Sequence, residues 1–309
     1  MFSHRVLVTG GTGFIGSWLV RELIQNGYEV TVLDCNPTGE LLEPVKGRYE
    51  FVQGDVLDSD GIRNCLKDVD AVCHLGAMVG RLISKERPYD SVRVNVEGTM
   101  NVLEACRAND VERLIFASTS EVLGEAIYTP MDEEHPLNPV TPYGIAKLAA
   151  EKFCLLYHRW YGMETICPRF FNAYGVGERP SEYRGVVTQF VWKVLHDQPP
   201  IVDRGCKRTF AYVTDIARGC RLLLEKGRAG EVYHLSGKGA TRIEDLADLV
   251  IRLCGKEGEV KPVFRDPTPM DVRVKVPSYE KARVELGYEP ETSLEEGLMK
   301  TIEWQKSLL

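Results

Sequence analysis

The chain has 309 residues, 44% of them hydrophobic, which is enough for a sizeable core arranged as one large domain or two. Its 38 basic and 45 acidic side chains leave a net charge of −7, which argues against a nucleic-acid partner and against attraction to anionic membranes. An anionic ligand would therefore need local basic residues. The nine cysteines are odd in number and scattered, with no C-x-x-C pair and no Cys/His cluster at zinc-ligand spacing, so no metal site is expected. They read as small apolar core residues or free thiols of a reducing compartment. Met1 to Arg5 runs straight into an apolar segment without a signal-peptide h-region, and no apolar run reaches about 18 residues. The expectation is a cytoplasmic chain that does not enter a membrane.

The first element is an apolar strand, Val6-Leu7-Val8, followed by Thr9-Gly10-Gly11-Thr12-Gly13-Phe14-Ile15-Gly16. This reads as strand, glycine turn and helix. The glycine spacing lets the backbone approach a pyrophosphate, and the free N–H groups and positive dipole end of the next helix would meet its charge. Apolar Phe14, Ile15, Trp18, Leu19, Leu23 and Ile24 recur at helical spacing until Asn26-Gly27. The second strand, Glu29 to Asp34, ends in an acid 18 residues after Gly16, where a carboxylate would meet the ribose hydroxyls of NAD and repel a 2′-phosphate.

Pro37 to Gly47 is turn-rich. A third strand is predicted at Tyr49–Gln53, ending at Gly54-Asp55-Val56, and a fourth at Ala71–Leu75, ending at Gly76-Ala77. The alternation predicts a Rossmann-type α/β fold, a doubly wound parallel sheet whose ligands gather at the strand carboxyl ends. A long helix is expected from Tyr89 to Asn109, then a strand from Arg113 to Ser118. The next helix should start near Thr141-Pro142, with Thr141 as cap and Pro142 in the first turn. It carries Tyr143, Lys147 and Glu151 on one face. After a strand at Glu164 to Arg169 the alternation fades. Later helices are expected near 186–197, 214–226, 242–254 and 293–307, in a smaller α/β substrate lobe. The boundary is placed between residues 1–170, the NAD-binding part, and 171–309, with segments free to return to the first lobe.

Tyr143-Gly144-Ile145-Ala146-Lys147 sets a phenol and an ammonium one helical turn apart. A nearby positive charge would stabilise the phenolate, making Tyr143 a base near neutral pH. Ser118-Thr119-Ser120-Glu121 delivers hydroxyls and a carboxylate to the same sheet edge.

Together with Gly54-Asp55-Val56, His74-Leu75-Gly76-Ala77, Asn95 to Thr99, Arg169 to Gly175 and Arg208 to Asp215, these motifs resemble the extended short-chain dehydrogenase/reductases, specifically the NAD-dependent nucleotide-sugar epimerase/dehydratase family. The resemblance spans almost the whole chain. It implies that Gly10, Gly13, Phe14, Ile15 and Gly16 hold the pyrophosphate, Asp34 the adenosine ribose, and Asp55 and Val56 the adenine. Leu75, Gly76, Ala77, Asn95 and Ser118 would line the cofactor cleft and Phe171 would border the nicotinamide. Tyr143 would be the base, Lys147 would bind the nicotinamide ribose while lowering the Tyr143 pKa, and Thr119 would bond the reacting hydroxyl. Asn172 and Arg208 would hold the nucleotide-sugar diphosphate.

Leu123 stands where the family often has Tyr, Gly76 where Ala is common, and Thr268 where an R-P-G-D stretch has its arginine. Arg273 or Lys275 would then meet phosphate instead. The implied chemistry starts with oxidation at sugar C4, giving a transient 4-keto sugar. Epimerisation of a UDP-sugar is the preferred outcome. Glu121 is either a structural carboxylate or the further acid/base group of a dehydratase or decarboxylase. A non-sugar ketone reductase and a non-catalytic NAD sensor are the remaining alternatives. The resemblance also implies a homodimer through the helices about 89–109 and 142–160, where Val94, Met100, Val102, Leu103, Leu148, Phe153, Leu155 and Leu156 offer more apolar surface than one core face needs.

Overall fold

A computed structural model describes residues 5–37, 39–268 and 271–309. Met1 to His4, and Pro269 and Met270 of the Thr268–Asp271 stretch, lie outside the described residues. The main sheet is built from β1 (Arg5–Thr9), β2 (Glu29–Asp34), β3 (Tyr49–Gln53), β4 (Ala71–His74), β5 (Arg113–Phe116), β6 (Ser118–Thr119) and β7 (Glu164–Phe170), joined by the strand Val232–Leu235. Its order is Val232–Leu235, β7, β5, β4, β1, β2, β3, with β6 pairing on β7, and every pairing is parallel. Parallel strands need helical crossovers that cover both faces, which is why Val6-Leu7-Val8 and Ala71–His74 are buried throughout.

The helices α1 (Phe14–Gln25), α2 (Ser59–Cys65), α3 (Arg81–Glu86), α4 (Pro88–Val92), α5 (Gly98–Ala108) and α6 (Pro142–Tyr161) divide between those faces. One core joins α1 to the helix Val213–Lys226 through Leu19, Leu23, Ile216 and Leu223. The other joins α2, α5 and α6 through Ile62, Val102, Leu103, Ala150 and Cys154. A third core, around Phe190, Val250 and Leu298, holds the helices Val186–Leu195, Ile243–Leu253 and Leu294–Lys306.

Chain order runs β1, β2, β3 outward and then returns to lay β4 on the other side of β1. That reversal opens a crevice at the carboxyl ends of β1 and β4, the place where sheets of this kind take ligands. α6 starts as expected: Thr141 accepts the Gly144 amide at 3.0 Å and Pro142 fills the first turn, a cap contributing about 1 kcal/mol.

The structure corrects several expectations. Glu40–Val45 is a 3₁₀ helix within the stretch read as turns. The fourth strand stops at His74, and Ala117 separates β5 from β6. Between α4 and α5, Arg93–Glu97 forms a wide π turn, closed by the Gly98 amide on the Arg93 carbonyl. The strand Val232–Leu235, in the second half of the chain, pairs with β7 in the main sheet, a return of the kind the sequence leaves open.

His74 and His234 are enclosed, and burial, aided by Lys147 and Arg169 respectively, pulls each pKa down to about 3. Each therefore stays neutral in the folded chain while the unfolded chain takes up a proton below about pH 6.5. Stability is full above that pH and falls as pH drops toward 3. Unfolding by urea should cost about 2 kcal/mol less per histidine at pH 5 than at pH 7. Equal urea midpoints at the two pH values would contradict this.

Candidate active site

The glycine turn leaves β1 and meets the end of β4. Gly10 has φ +69°, and a Cβ there would lie 2.7 Å from the Gly76 amide nitrogen. A Cβ on Gly16 would collide with the Gly10 carbonyl. Both positions need glycine for this close approach. Gly13 has no side chain to cap α1, and no acid occupies the first turn, so its leading N–H groups suit a phosphate. Asp34 ends β2 beside the turn and accepts the Thr12 amide at 3.1 Å and the Asn36 amide at 3.0 Å. Its remaining lone pairs are free for hydroxyl donors. A cavity of about 1640 Å³ runs along these strand ends, lined by Gly10, Gly13, Phe14, Ile15, Gly16, Asp34, Asp55, Val56, Leu75, Gly76, Ala77 and Met78. A bare glycine cradle, an uncapped helix start and a strand-end carboxylate fit a dinucleotide.

The same cavity continues to Ser118, Thr119, Glu121, Tyr143, Lys147, Phe170, Asn172, Arg208 and Lys275. Tyr143 and Lys147 face it from the first two turns of α6, both buried. Burial and the negative charge of Glu121 push the Tyr143 phenol up, and a hydrogen bond with Thr119 acts the other way. The net direction is thus opposite to the lowering expected from Lys147. Burial also pulls Lys147 down to about 8, with Glu151 opposing, and its ammonium sits 4.1 Å from the centre of the Phe116 ring. Ser118 donates to Glu151 at 2.6 Å, and Arg169 holds the same carboxylate at 2.7 and 3.1 Å. This buried pair locks α6 onto the strand that carries the hydroxyls.

At the far end Glu121 is bonded to the buried Lys275. Burial opposes the Glu121 charge, but Lys275, helped by Arg81 and Arg208, outweighs it and lowers the pKa. Asn172 takes φ +41°, a conformation asparagine tolerates, and donates to the Thr209 carbonyl at 2.7 Å. The Arg208 guanidinium is held by the carbonyls of Val272 and Arg273.

Three expected residues stand elsewhere. Phe171 is sealed in a small core with Val122, Leu123 and Met131, just past the end of β7, while Phe170, the last residue of that strand, faces the cavity. Asn95 is buried behind the lining and grips Met78 through two 3.0 Å bonds. Arg273 is exposed, its backbone amide bound by Glu125, so of the two alternatives Lys275 alone reaches the cavity. Arg81 was not anticipated; it lines the cavity and pairs with Asp271 at 2.9 Å, which in turn accepts from Thr268. A lone arginine at the start of a short helix carries no motif, so nothing in the sequence pointed to it.

A dinucleotide crevice joined to a Tyr/Lys pair and a cation-lined pocket defines the class of NAD-linked enzymes acting on a nucleotide-bearing substrate. Residues 6–236 match the NAD dependent epimerase/dehydratase family, and the chain belongs to it. Its cofactor is accordingly NAD. The chain is 36% identical to a putative UDP-glucose 4-epimerase of Methanocaldococcus jannaschii, with 98% of each chain covered. It is 34% identical to a dTDP-glucose 4,6-dehydratase of Streptomyces niveus, over 98% of this chain and 93% of that one. Among solved structures it resembles the UDP-glucose 4-epimerase of Thermotoga maritima with UDP-glucose, at 33% identity, 99% and 100% coverage, and a TM-score of 0.91.

Asp34→Ala should weaken NAD binding roughly tenfold or more and narrow the preference over NADP, because it removes a charged acceptor. Calorimetric titration of both dinucleotides checks this; unchanged affinities would exclude Asp34 as the ribose ligand.

Proposed function

We propose that the protein is an NAD-dependent nucleotide-sugar 4-epimerase acting on a UDP-sugar. The observation that carries the choice among the family's reactions is the Glu121–Lys275 pair at the sugar end of the cavity. Loss of water across C5 and C6 needs one group to take the C5 proton and another to protonate the leaving hydroxyl. Glu121 is the carboxylate beside Thr119, and Lys275 holds it ionised with a lowered pKa. Such a group has no proton to give and is a weaker base than an ordinary carboxylate. Epimerisation makes no demand on it.

When bound, NAD supplies the acceptor and donor of a hydride, and its positive ring favours the Tyr143 phenolate. Tyr143 receives the C4 hydroxyl proton at its Oη as C4 becomes a ketone and returns it when the alcohol re-forms. Thr119, beside Tyr143 in the cavity lining, would keep the same hydroxyl in line. Lys147 would bind the ribose of the dinucleotide from the same helix face as Tyr143. Arg208, Lys275 and Asn172 face the diphosphate and sugar, with Arg81 beside them. The UDP-glucose in the Thermotoga maritima relative supports a UDP-sugar. A second reading, dehydration or decarboxylation, is favoured by one fact: Glu121 and Lys275 lie inside the cavity, where an acid/base pair would have to be.

Wild type and Glu121→Gln assayed on UDP-glucose, UDP-glucuronate and GDP-mannose, with products weighed by mass spectrometry, separate the readings. An epimerase conserves substrate mass, and the substitution should cost at most about a few-fold in rate. A product lighter by water or CO₂, with a rate loss on the order of 10²–10⁴, would overturn the proposal.

The protein is also proposed to be a homodimer. Val102 and Leu103, expected at the interface, are core residues, but Tyr89, Val92, Ile145, Trp160 and Tyr161 on α4 and α6 are exposed. Aromatic residues of this kind favour contact with a second copy. Sedimentation at micromolar concentration should give twice the chain mass of 34.8 kDa; a single-chain species refutes the dimer.

A further inference from the structure

Behind the crevice lies a buried hydrogen-bond relay with no part in the chemistry above. The Gly76 amide donates to the Thr9 hydroxyl at 3.0 Å, and that hydroxyl lies 2.7 Å from His74 Nδ1. On the other side of the ring, His74 Nε2 lies 3.1 Å from the Thr99 hydroxyl, which donates to the Asn95 carbonyl at 2.8 Å. Asn95 closes the circuit by gripping both the amide and the carbonyl of Met78. The relay thus begins at Gly76 and ends at Met78, the two ends of one short stretch of the cavity wall.

Donor counting gives every bond a direction. A hydroxyl has one hydrogen. Thr99 spends its own on a carbonyl, so it must accept from His74 Nε2–H. In a neutral ring Nδ1 is then bare, and Thr9 donates to it while accepting from Gly76. A charged ring would present a second donor to Thr9 and leave the threonine hydrogen without an acceptor. It would also set a cation beside Lys147, the titratable group that acts on the ring. Thr9, His74, Asn95 and Thr99 are each about 1% exposed or less, so water cannot replace a lost partner without rearrangement.

The geometry points to His74, as the neutral Nε2–H imidazole, as the positioning residue of the cofactor crevice: it ties both ends of Gly76–Met78 and so sets the wall that the dinucleotide meets. The wall has little tolerance, because Gly76 already stands where any side chain on Gly10 would have to be. The π turn at Arg93–Glu97 belongs to the same device, since it carries Asn95. Hydrogen-bond loss that lets the wall drift should be felt as weaker NAD binding rather than only as lower stability.

Thr99→Val removes the acceptor and the donor at nearly constant volume. NAD affinity measured by calorimetry should fall roughly tenfold, and Thr99→Ser should restore it to within about twofold. Leu286→Ala, in the helix Glu280–Leu286, none of whose residues lines the cavity, serves as a control that lowers the melting temperature while leaving NAD affinity unchanged. Thr99→Val binding NAD as tightly as wild type overturns the inference, as does Leu286→Ala weakening NAD to the same degree. A measurement on the wild type needs no variant to fold: ¹⁵N resonances of the His74 ring should report bare Nδ1 and protonated Nε2 from pH 8 to pH 5. The opposite tautomer, or titration inside that range, also overturns it.

Discussion

Two turns leave adjacent parallel strands at the same edge of the sheet, and their backbones come almost into contact: Gly10 after β1 and Gly76 after β4. The approach is possible only because the chain reverses its winding direction between these strands, and only glycine at position 10 permits it. Everything functional is arranged around that contact. The phosphate cradle and Asp34 lie on one side of it, and the hydroxyls of β6 with the first turns of α6 lie on the other.

Charge is distributed along the cavity in the same order. The cofactor end is acidic and neutral, with Asp34 and Asp55 beside free helical amides. The middle holds Tyr143 and Lys147 in surroundings dry enough to move both away from their ordinary pKa values. The far end gathers Arg81, Arg208 and Lys275 around Glu121 and Asp271. A protein of net charge −7 thereby keeps a locally cationic pocket.

The parts legible in the sequence were those with a short-range signal. The strands Glu29–Asp34 and Tyr49–Gln53 match their expected limits, since alternation and flanking turns define them locally. The Thr141-Pro142 helix start is equally local. The cradle could be read because glycine spacing states a backbone requirement directly. Phe170 and Phe171 could not be told apart, because either of two adjacent buried phenylalanines at a strand end can face the site and only the third dimension decides. Arg81 depends on a partner 190 residues away in sequence, and the choice between Arg273 and Lys275 on contacts with Glu125 and Glu121 that lie 148 and 154 residues away. The return of Val232–Leu235 to the sheet is likewise a long-range pairing that a four-residue strand containing a histidine does not announce.

Tyr143 occupies the first turn of a 20-residue helix, the end at which helices open most readily. Its place in the cavity is therefore a matter of residence time as well as position. Thr141, with its bond to Gly144, regulates how often that turn lets go: a cap contribution of about 1 kcal/mol corresponds to a roughly fivefold change in the open fraction. The lower half of α6 is fastened separately by Arg169 and Glu151, so opening of the first turn need not unseat the rest of the helix. The helix thus has a fixed stem and a tip held by two hydroxyls: Thr141, which is not part of the cavity lining, and Ser84, which accepts the Tyr143 amide at 3.2 Å.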